Sequence, residues 1–251
     1  MASIKLEFKI NKSYLLVHAL RQNILPFPEW VNLKNYLWQI SPNGYSLLSG
    51  SPEVFLQMAT IKSGEKILWD SLRLLKKGIN RKEFKRLYRE TTDYSRWLKQ
   101  EWKNNKDKIF KWVQEISGIS LPSIKVSVYV THPKLRNGKM LGTSTICWGH
   151  PEDWKYYSIV YLTHELLHIL TDGKYKNPNL MHAFIELLAD NEIRIRLNRR
   201  GKYFREGKFR VGHEYLLSLE KKILPHWKKF LADKREKDLF CLEKEIKRGL
   251  V

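Results

Sequence analysis

The chain has 251 residues, of which 43% are hydrophobic, and this apolar content excludes an intrinsically disordered protein. Its two cysteines, Cys147 and Cys241, are too few for a disulfide framework or a cysteine-rich zinc module. The 46 Lys and Arg against 26 Asp and Glu give a formal net charge of +20, which either attracts polyanions and acidic proteins or simply solvates exposed helices.

The chain is predicted to begin with a strand and a short helix. Apolar and charged residues alternate from Ile4 to Ile10, which is the period of a half-buried strand, and Asn11 is a typical N-cap for a helix through Gln22. This start lacks the apolar core of a signal peptide, and no apolar run of the sequence is long enough to span a bilayer. We therefore expect a cytoplasmic protein without a membrane partner.

Further helices are predicted up to residue 117. Pro28 opens one apolar-periodic segment, and Ser51-Pro52-Glu53 has the cap and proline of another helix start. A third helix is predicted from about 65 to 117, with an interruption near Thr91-Thr92-Asp93. Because Gly118 to Pro122 breaks the helical pattern, we place a domain boundary there. Residues 1–118 would form a mainly helical region that need not fold alone, and residues 119–251 a second region.

The second region is predicted to start with strands and to continue with helices. Alternation from Val126 to Val130 indicates a strand, Asn137-Gly138 indicates a turn, and Gly142 to Trp148 would be the antiparallel partner. From Pro151 onward the pattern is helical, in three or four helices. A few strands followed by helices are typical of an α+β fold.

The clearest functional motif is His164-Glu165-Leu166-Leu167-His168, inside an apolar stretch that is predicted to be a buried helix. Histidines four residues apart share one face of a helix, so both can bind one metal ion, and zinc suits imidazole ligands. Glu165 lies about 100° around the helix, where it can act as a general base on a zinc-polarised water. This H-E-x-x-H pattern is a metalloprotease signature, and it predicts one zinc ion per chain.

Three downstream residues compete for the role of third metal ligand. Asp172 follows His168 by one turn, but Asp172-Gly173 is also a typical helix stop. Glu186 is the preferred ligand, because it lies on a second amphipathic helix eighteen residues after His168, a gap that allows an antiparallel return. His182, one turn before Glu186, is an alternative ligand or a supporting residue.

His164-Glu165-x-x-His168 followed by Glu186-x-x-x-Asp190 resembles the gluzincin clan of zinc metallopeptidases. The resemblance implies a compact zincin-like fold with a small antiparallel or mixed sheet, an active-site helix and C-terminal helices. It implies that Glu186 is the third zinc ligand and that Asp190 accepts a hydrogen bond from His164. It also implies that Gly142 to Trp148 is an edge strand that pairs with an extended peptide substrate.

Many such peptidases also use a Tyr or His to stabilise the tetrahedral oxyanion, and His213 and Tyr215, with Tyr203 before them, are the candidates here. The leading hypothesis is a cytoplasmic zinc endopeptidase or aminopeptidase that acts on peptide or protein substrates, acidic ones included. Residues 1–118 would cover or regulate its site. The alternative hypothesis is a regulatory or nucleic-acid-associated protein that keeps zinc in a structural or latent site.

Overall fold

A four-stranded mixed sheet, assembled from both sides of residue 118, is the centre of the fold. The structure is a computed structural model that describes residues 4–40, 73, 76–233 and 237–250. Along the chain the strands are β1 (Lys5–Lys9), β2 (Lys125–Val130), β3 (Asn137–Met140) and β4 (Thr145–Gly149). They lie in the order β1-β2-β4-β3, with β2 parallel to β1 and β4, and β3 antiparallel to β4. The two edges of this sheet are therefore β1 and β3.

The predicted strand and the first two predicted helices are confirmed. β1 is followed by α1 (Lys12–Arg21) and α2 (Pro28–Ile40). Asn11 caps α1, because its side-chain oxygen accepts a hydrogen bond from the Tyr14 N–H at 3.0 Å. The helix start predicted at Ser51-Pro52-Glu53 lies outside the described residues.

The long helix α3 (Lys82–Ser117) runs without the predicted interruption near Thr91-Thr92-Asp93. Thr91 and Thr92 each donate a hydroxyl hydrogen to the carbonyl four residues earlier, at 2.8 Å, so both side chains are satisfied inside the helix. The helical pattern breaks instead at residues 80–81, and the part predicted before residue 73 lies outside the described residues. α3 ends as predicted at Gly118, which takes a left-handed φ of 70°.

The predicted turn at Asn137-Gly138 is wrong, because both residues lie within β3. The chain turns earlier, through a 3-10 turn at Pro133–Leu135 and a left-handed residue, Arg136, with φ of 46°. A glycine is required at position 138 by the packing of the strand, not by a turn. A Cβ at this position would lie 2.4 Å from the ring of Trp148, so only glycine lets the indole lie against the strand.

The predicted strand from Gly142 to Trp148 is present as β4, but its predicted pairing is wrong. β4 is parallel to β2, and its antiparallel partner is β3. Because β4 lies between β2 and β3, it is an interior strand and cannot be the edge strand that receives a peptide. That position belongs to β3.

The helical prediction after Pro151 is confirmed, apart from a short hairpin. The helices are α4 (Tyr157–Thr171), α5 (Pro178–Ile185), a π-helix (Glu186–Ile193), α6 (Arg194–Asn198), α7 (Leu217–Ala232) and α8 (Leu239–Leu250). The hairpin consists of β5 (Arg205–Glu206) and β6 (Phe209–Arg210). A π-helix is rare and frequently marks a functional site.

One hydrophobic core joins the two sides of the predicted boundary at residue 118. Ile4 beside β1 and Leu98 and Ile109 of α3 are buried in the same cluster as Val128 of β2 and Leu167 of α4. The described residues thus form one α+β structure in which β1 and α3 support the helix that carries the metal motif. In the described parts of the chain, no helix is both long and apolar enough to cross a bilayer.

Candidate metal centre

α4 carries the two histidines of the motif on one face, as their spacing predicts. The Nε2 atoms of His164 and His168 lie 3.1 Å apart. Tetrahedral zinc with Zn–N bonds of 2.0–2.1 Å places two ligand nitrogens about 3.3 Å apart. The separation in the structure therefore fits two imidazoles that bind one ion.

Asp190 holds the first histidine of the motif, and the predicted contact is present. His164 Nδ1 lies 3.0 Å from Asp190 Oδ1, and both side chains are buried. A proton on Nδ1 leaves the lone pair of Nε2 directed at the cluster. Burial acts to lower the pKa of His164, but the charge and hydrogen bond of Asp190 raise it to about 9. A metal ion at Nε2 would displace the second proton.

His168 and His182 are neutral imidazoles whose rings lie 4.6 Å apart. Burial, together with the neighbouring His164 and His213, lowers the pKa of His168 to about 3. Burial and the other three histidines lower the pKa of His182 to about 2. His182 Nε2 is buried and has no hydrogen-bond partner within the described parts of the chain. In the tautomer whose Nδ1 donates its proton to the Tyr215 hydroxyl, the lone pair of Nε2 is available to a cation.

Glu186, the preferred third ligand, lies beside these histidines, but its carboxylate is also hydrogen-bonded to His213. It is fully buried at the start of the π-helix. Both carboxylate oxygens accept the backbone N–H of His213 at 3.0 Å, and Oε1 is 2.5 Å from His213 Nδ1. His182 Nε2 lies 3.6 Å from the same Oε1. Gly212 makes this fit possible, because a Cβ there would lie 2.2 Å from Glu186 Oε2.

Three histidines on separate elements form a set with metal-ligand spacing. One ring nitrogen each from His164, His182 and His213 lie within 4.8 Å of one another. This set shares only His164 with the predicted set of His164, His168 and Glu186, although the contacts above place all five side chains in one cluster. Imidazole nitrogens with one carboxylate suit a borderline ion such as zinc.

Glu165 lines a cavity of about 290 Å³ beside the histidines. Its Oε2 accepts a hydrogen bond from the backbone N–H of Met140 in β3 at 2.6 Å. Burial raises the pKa of Glu165, which brings this carboxylate closer to the basicity that proton transfer near neutral pH requires. His164 and His213 line the same cavity, and its remaining wall is largely aromatic: Trp148, His150, Tyr157 and Tyr161.

The other predicted site residues differ in where they lie. His213 lines the cavity, whereas Tyr215 is 64% exposed and its hydroxyl lies 3.0 Å from His182 Nδ1. Tyr203 is directed away, because its hydroxyl donates to Glu192. Asp172 is the C-cap of α4 and is followed by Gly173 with φ of 69°, so the helix-stop interpretation is the one that holds.

Tyr161 and Glu220 are among the cavity and cluster residues that were missed from the sequence. Tyr161 lies one turn before His164, a spacing that could have indicated it, and its hydroxyl accepts the Gly212 N–H at 3.4 Å. Glu220 is buried on α7, where burial and the carboxylates of Glu186 and Asp190 raise its pKa to about 9. No local signal indicates Glu220, because it lies in a lysine-rich amphipathic segment.

Comparisons of the chain with protein families, curated proteins and solved structures found no match. Neither the fold nor the cluster is assigned to a known family on that basis. The resemblance to the gluzincin clan therefore rests on residues 164–190, where the two motifs lie and where His164 and Asp190 are in contact.

Proposed function

We propose that this protein is a zinc-dependent peptidase with a zincin-like arrangement of sheet and active-site helix. The observation that carries this proposal is the pair of Nε2 atoms 3.1 Å apart on α4, with Glu165 of the same helix in the adjoining cavity. Zinc bound there would polarise the scissile carbonyl and lower the pKa of a water molecule.

His164 and His168 would hold the ion, with Glu186 as the third protein ligand. The hydrogen bonds from His213 to Glu186 support this assignment, because they hold a buried carboxylate in one orientation. His182 is the alternative third ligand, since its Nε2 is buried and lies 3.6 Å from Glu186 Oε1.

Glu165 would transfer the proton during peptide hydrolysis. It takes a proton from the attacking water and delivers it to the leaving amine as the C–N bond breaks. The Met140 N–H engages Oε2 and fixes the carboxylate against β3, which leaves Oε1 for the transfer. For the oxyanion, His213 is better placed than Tyr215, because His213 lines the cavity with Glu165.

The peptide substrate would bind along β3, the edge strand next to the cavity. Gly138 of β3 lines the cavity, and Met140 of the same strand contacts Glu165. An extended peptide that pairs with β3 would therefore pass the general base. This assignment replaces the interior strand β4, which sequence reasoning proposed for the same task.

Metal analysis combined with turnover of a quenched fluorescent peptide library tests the proposal. We expect about one zinc per chain, loss of turnover after removal of the metal with a chelator, and recovery when zinc is added back. A fully zinc-loaded protein that cleaves none of the peptides, or turnover that survives metal removal, would contradict it.

A closed, structural zinc centre is the second candidate function, and the position of His182 favours it. Catalytic zinc keeps one coordination position open, whereas a fourth protein ligand closes the site. If His182 joins His164, His168 and Glu186, zinc is enclosed by protein. His182→Ala should then weaken zinc binding strongly. In the peptidase with Glu186 as third ligand, the same variant should keep its zinc.

A further inference from the structure

A second concave region lies at the edge of the sheet opposite to β3, between β1 and α3. This β1–α3 groove has a volume of about 630 Å³, and its apolar lining includes Leu6 and Phe8 of β1 and Trp102 of α3. β1 and β3 are three interstrand spacings apart, which corresponds to about 14 Å. The groove is thus separate from the metal centre.

Positive side chains form a stripe along the helical wall of the β1–α3 groove. Arg96, Lys99, Lys103 and Lys106 are spaced by three, four and three residues, so they share one face of α3. Ten residues of helix extend this stripe over about 15 Å. On the strand side Lys5 also lines the groove, and its ammonium lies 3.6 Å from the Glu7 carboxylate. Of the described residues that line the groove, none is acidic.

The central cations of this stripe are not neutralised by the protein. Within the described parts of the chain, Lys99 and Lys103 take part in no ion pair, whereas the cations at the two ends do: Arg96 pairs with Asp93 at 2.5 Å and Lys106 with Asp107 at 3.9 Å. Like charges held side by side repel one another, and an anionic ligand relieves that repulsion. The stripe is therefore complementary to a ligand with several negative charges.

On the strand side of the groove, the outer edge of β1 has no strand partner among the described residues. Lys5 donates its N–H to the Ile124 carbonyl at 2.9 Å, on the side of β2. Because backbone groups alternate in direction along a strand, Leu6 and Phe8 direct their N–H and C=O groups to the opposite side. No second strand from the described residues pairs with that side of β1. A strand edge in this state can accept an added strand.

We propose that the β1–α3 groove binds an extended acidic polypeptide, which pairs with the outer edge of β1 and places its carboxylates against the cations of α3. Single-stranded nucleic acid fits less well, because it needs exposed rings for base stacking and Trp102 is only 4% exposed. A second copy of this chain carries the same +20 charge and would be repelled. The proposal does not depend on peptidase activity.

Calorimetric titration with the amidated, acetylated peptide Glu-Val-Glu-Val-Glu tests this docking site at about 50 mM salt, where surface charges are weakly screened. We expect measurable binding that falls at least tenfold in a Lys99→Glu, Lys103→Glu variant. The matched control is Lys221→Glu, Lys222→Glu on exposed positions of α7, which makes the same change in net charge. That control should lose less than about threefold.

A second peptide, with N-methyl groups on all five residues, keeps the charge but removes the N–H donors that strand pairing needs on either edge, and it should bind at least tenfold more weakly. Equal losses in both charge variants, equal binding of the N-methylated peptide, or no binding of either peptide would overturn the proposal. Tighter, Lys99- and Lys103-dependent binding of an oligothymidylate would also overturn it, in favour of nucleic acid. Binding should persist in a His164→Ala, His168→Ala variant, which separates this site from the proposed peptidase.

Discussion

Ionisable side chains of both signs are in contact in the candidate metal centre and most of them are buried, whereas in the β1–α3 groove they are exposed and share one sign. In the centre, His164 is bonded to buried Asp190 and the 47% exposed His213 to buried Glu186, so removal of either histidine leaves a buried carboxylate without that partner. In the groove, Lys99 and Lys103 would act on the proposed ligand through a field that salt screens. Substitutions should therefore have large, local effects in the centre and smaller, salt-dependent effects in the groove.

The largest effect is expected from the double substitution His164→Ala, His168→Ala. Loss of both imidazoles removes two ligands and should lower zinc from about one per chain to almost none, with complete loss of peptide hydrolysis. Metal analysis of the dialysed protein measures the zinc content per chain. His226→Ala, on an exposed position of α7, is the control and should keep its metal. Full zinc occupancy in the double variant would remove the basis for the metal site.

Glu165→Gln should separate catalysis from metal binding. The amide cannot accept the proton, so hydrolysis should fall by roughly 10²–10⁴-fold, while the amide keeps the size of the side chain and zinc stays bound. Peptide turnover and metal content, measured on the same sample, check both parts. If the variant loses its zinc, Glu165 is a ligand and the proposed role as general base is wrong.

The contacts of the candidate metal centre were predictable from the sequence where they are local to one helix or separated by one turn. The spacing of His164 and His168 determines their common face, and the gap to Asp190 allows the observed hydrogen bond. His213 and Glu220 come from more distant elements, and only the tertiary fold brings them to Glu186. Sequence patterns report periodicity, not which distant faces meet.

The sheet shows a related limit. Alternation predicted that residues around Val128 and Ile146 are strands, but it carries no information on the direction of pairing, and β4 is parallel to β2. Asn137-Gly138 has the composition of a turn, yet Gly138 is a strand residue because the Trp148 ring occupies the place of a side chain. Packing explains why Gly138 is a strand residue, whereas the direction of β4 follows from its place between β2 and β3.

Asp190→Asn should weaken zinc binding by roughly 10–100-fold without removing a ligand. The neutral amide no longer stabilises a positively polarised His164, and it holds the ring less firmly. Competition with a chromogenic chelator gives the zinc affinity. Asp172→Asn, at the C-cap of α4, makes the same chemical change outside the cluster and is the control. Equal affinities in the two variants would contradict the supporting role of Asp190.

The smallest effect is expected from the surface charge. If the +20 charge steers acidic peptides toward the protein, these peptides should exceed neutral ones in kcat/KM at low salt. The advantage should shrink as salt passes roughly 0.15 M, where the Debye length is about 8 Å. kcat should change little, because chemistry in a buried site is weakly screened. Turnover that is equal for acidic and basic peptides at every salt concentration would exclude charge from substrate capture.

A titration with duplex DNA in the same buffers shows whether the basic surface binds nucleic acid or captures acidic peptides. Neutralisation of several phosphates makes log K fall steeply and linearly with log salt. Steering of a short acidic peptide with three carboxylates gives a much shallower dependence, because fewer charges are paired. Tight, steeply salt-dependent DNA binding without peptide turnover would assign the basic surface to nucleic acid. Weak DNA binding with salt-sensitive peptide capture would assign it to acidic polypeptides.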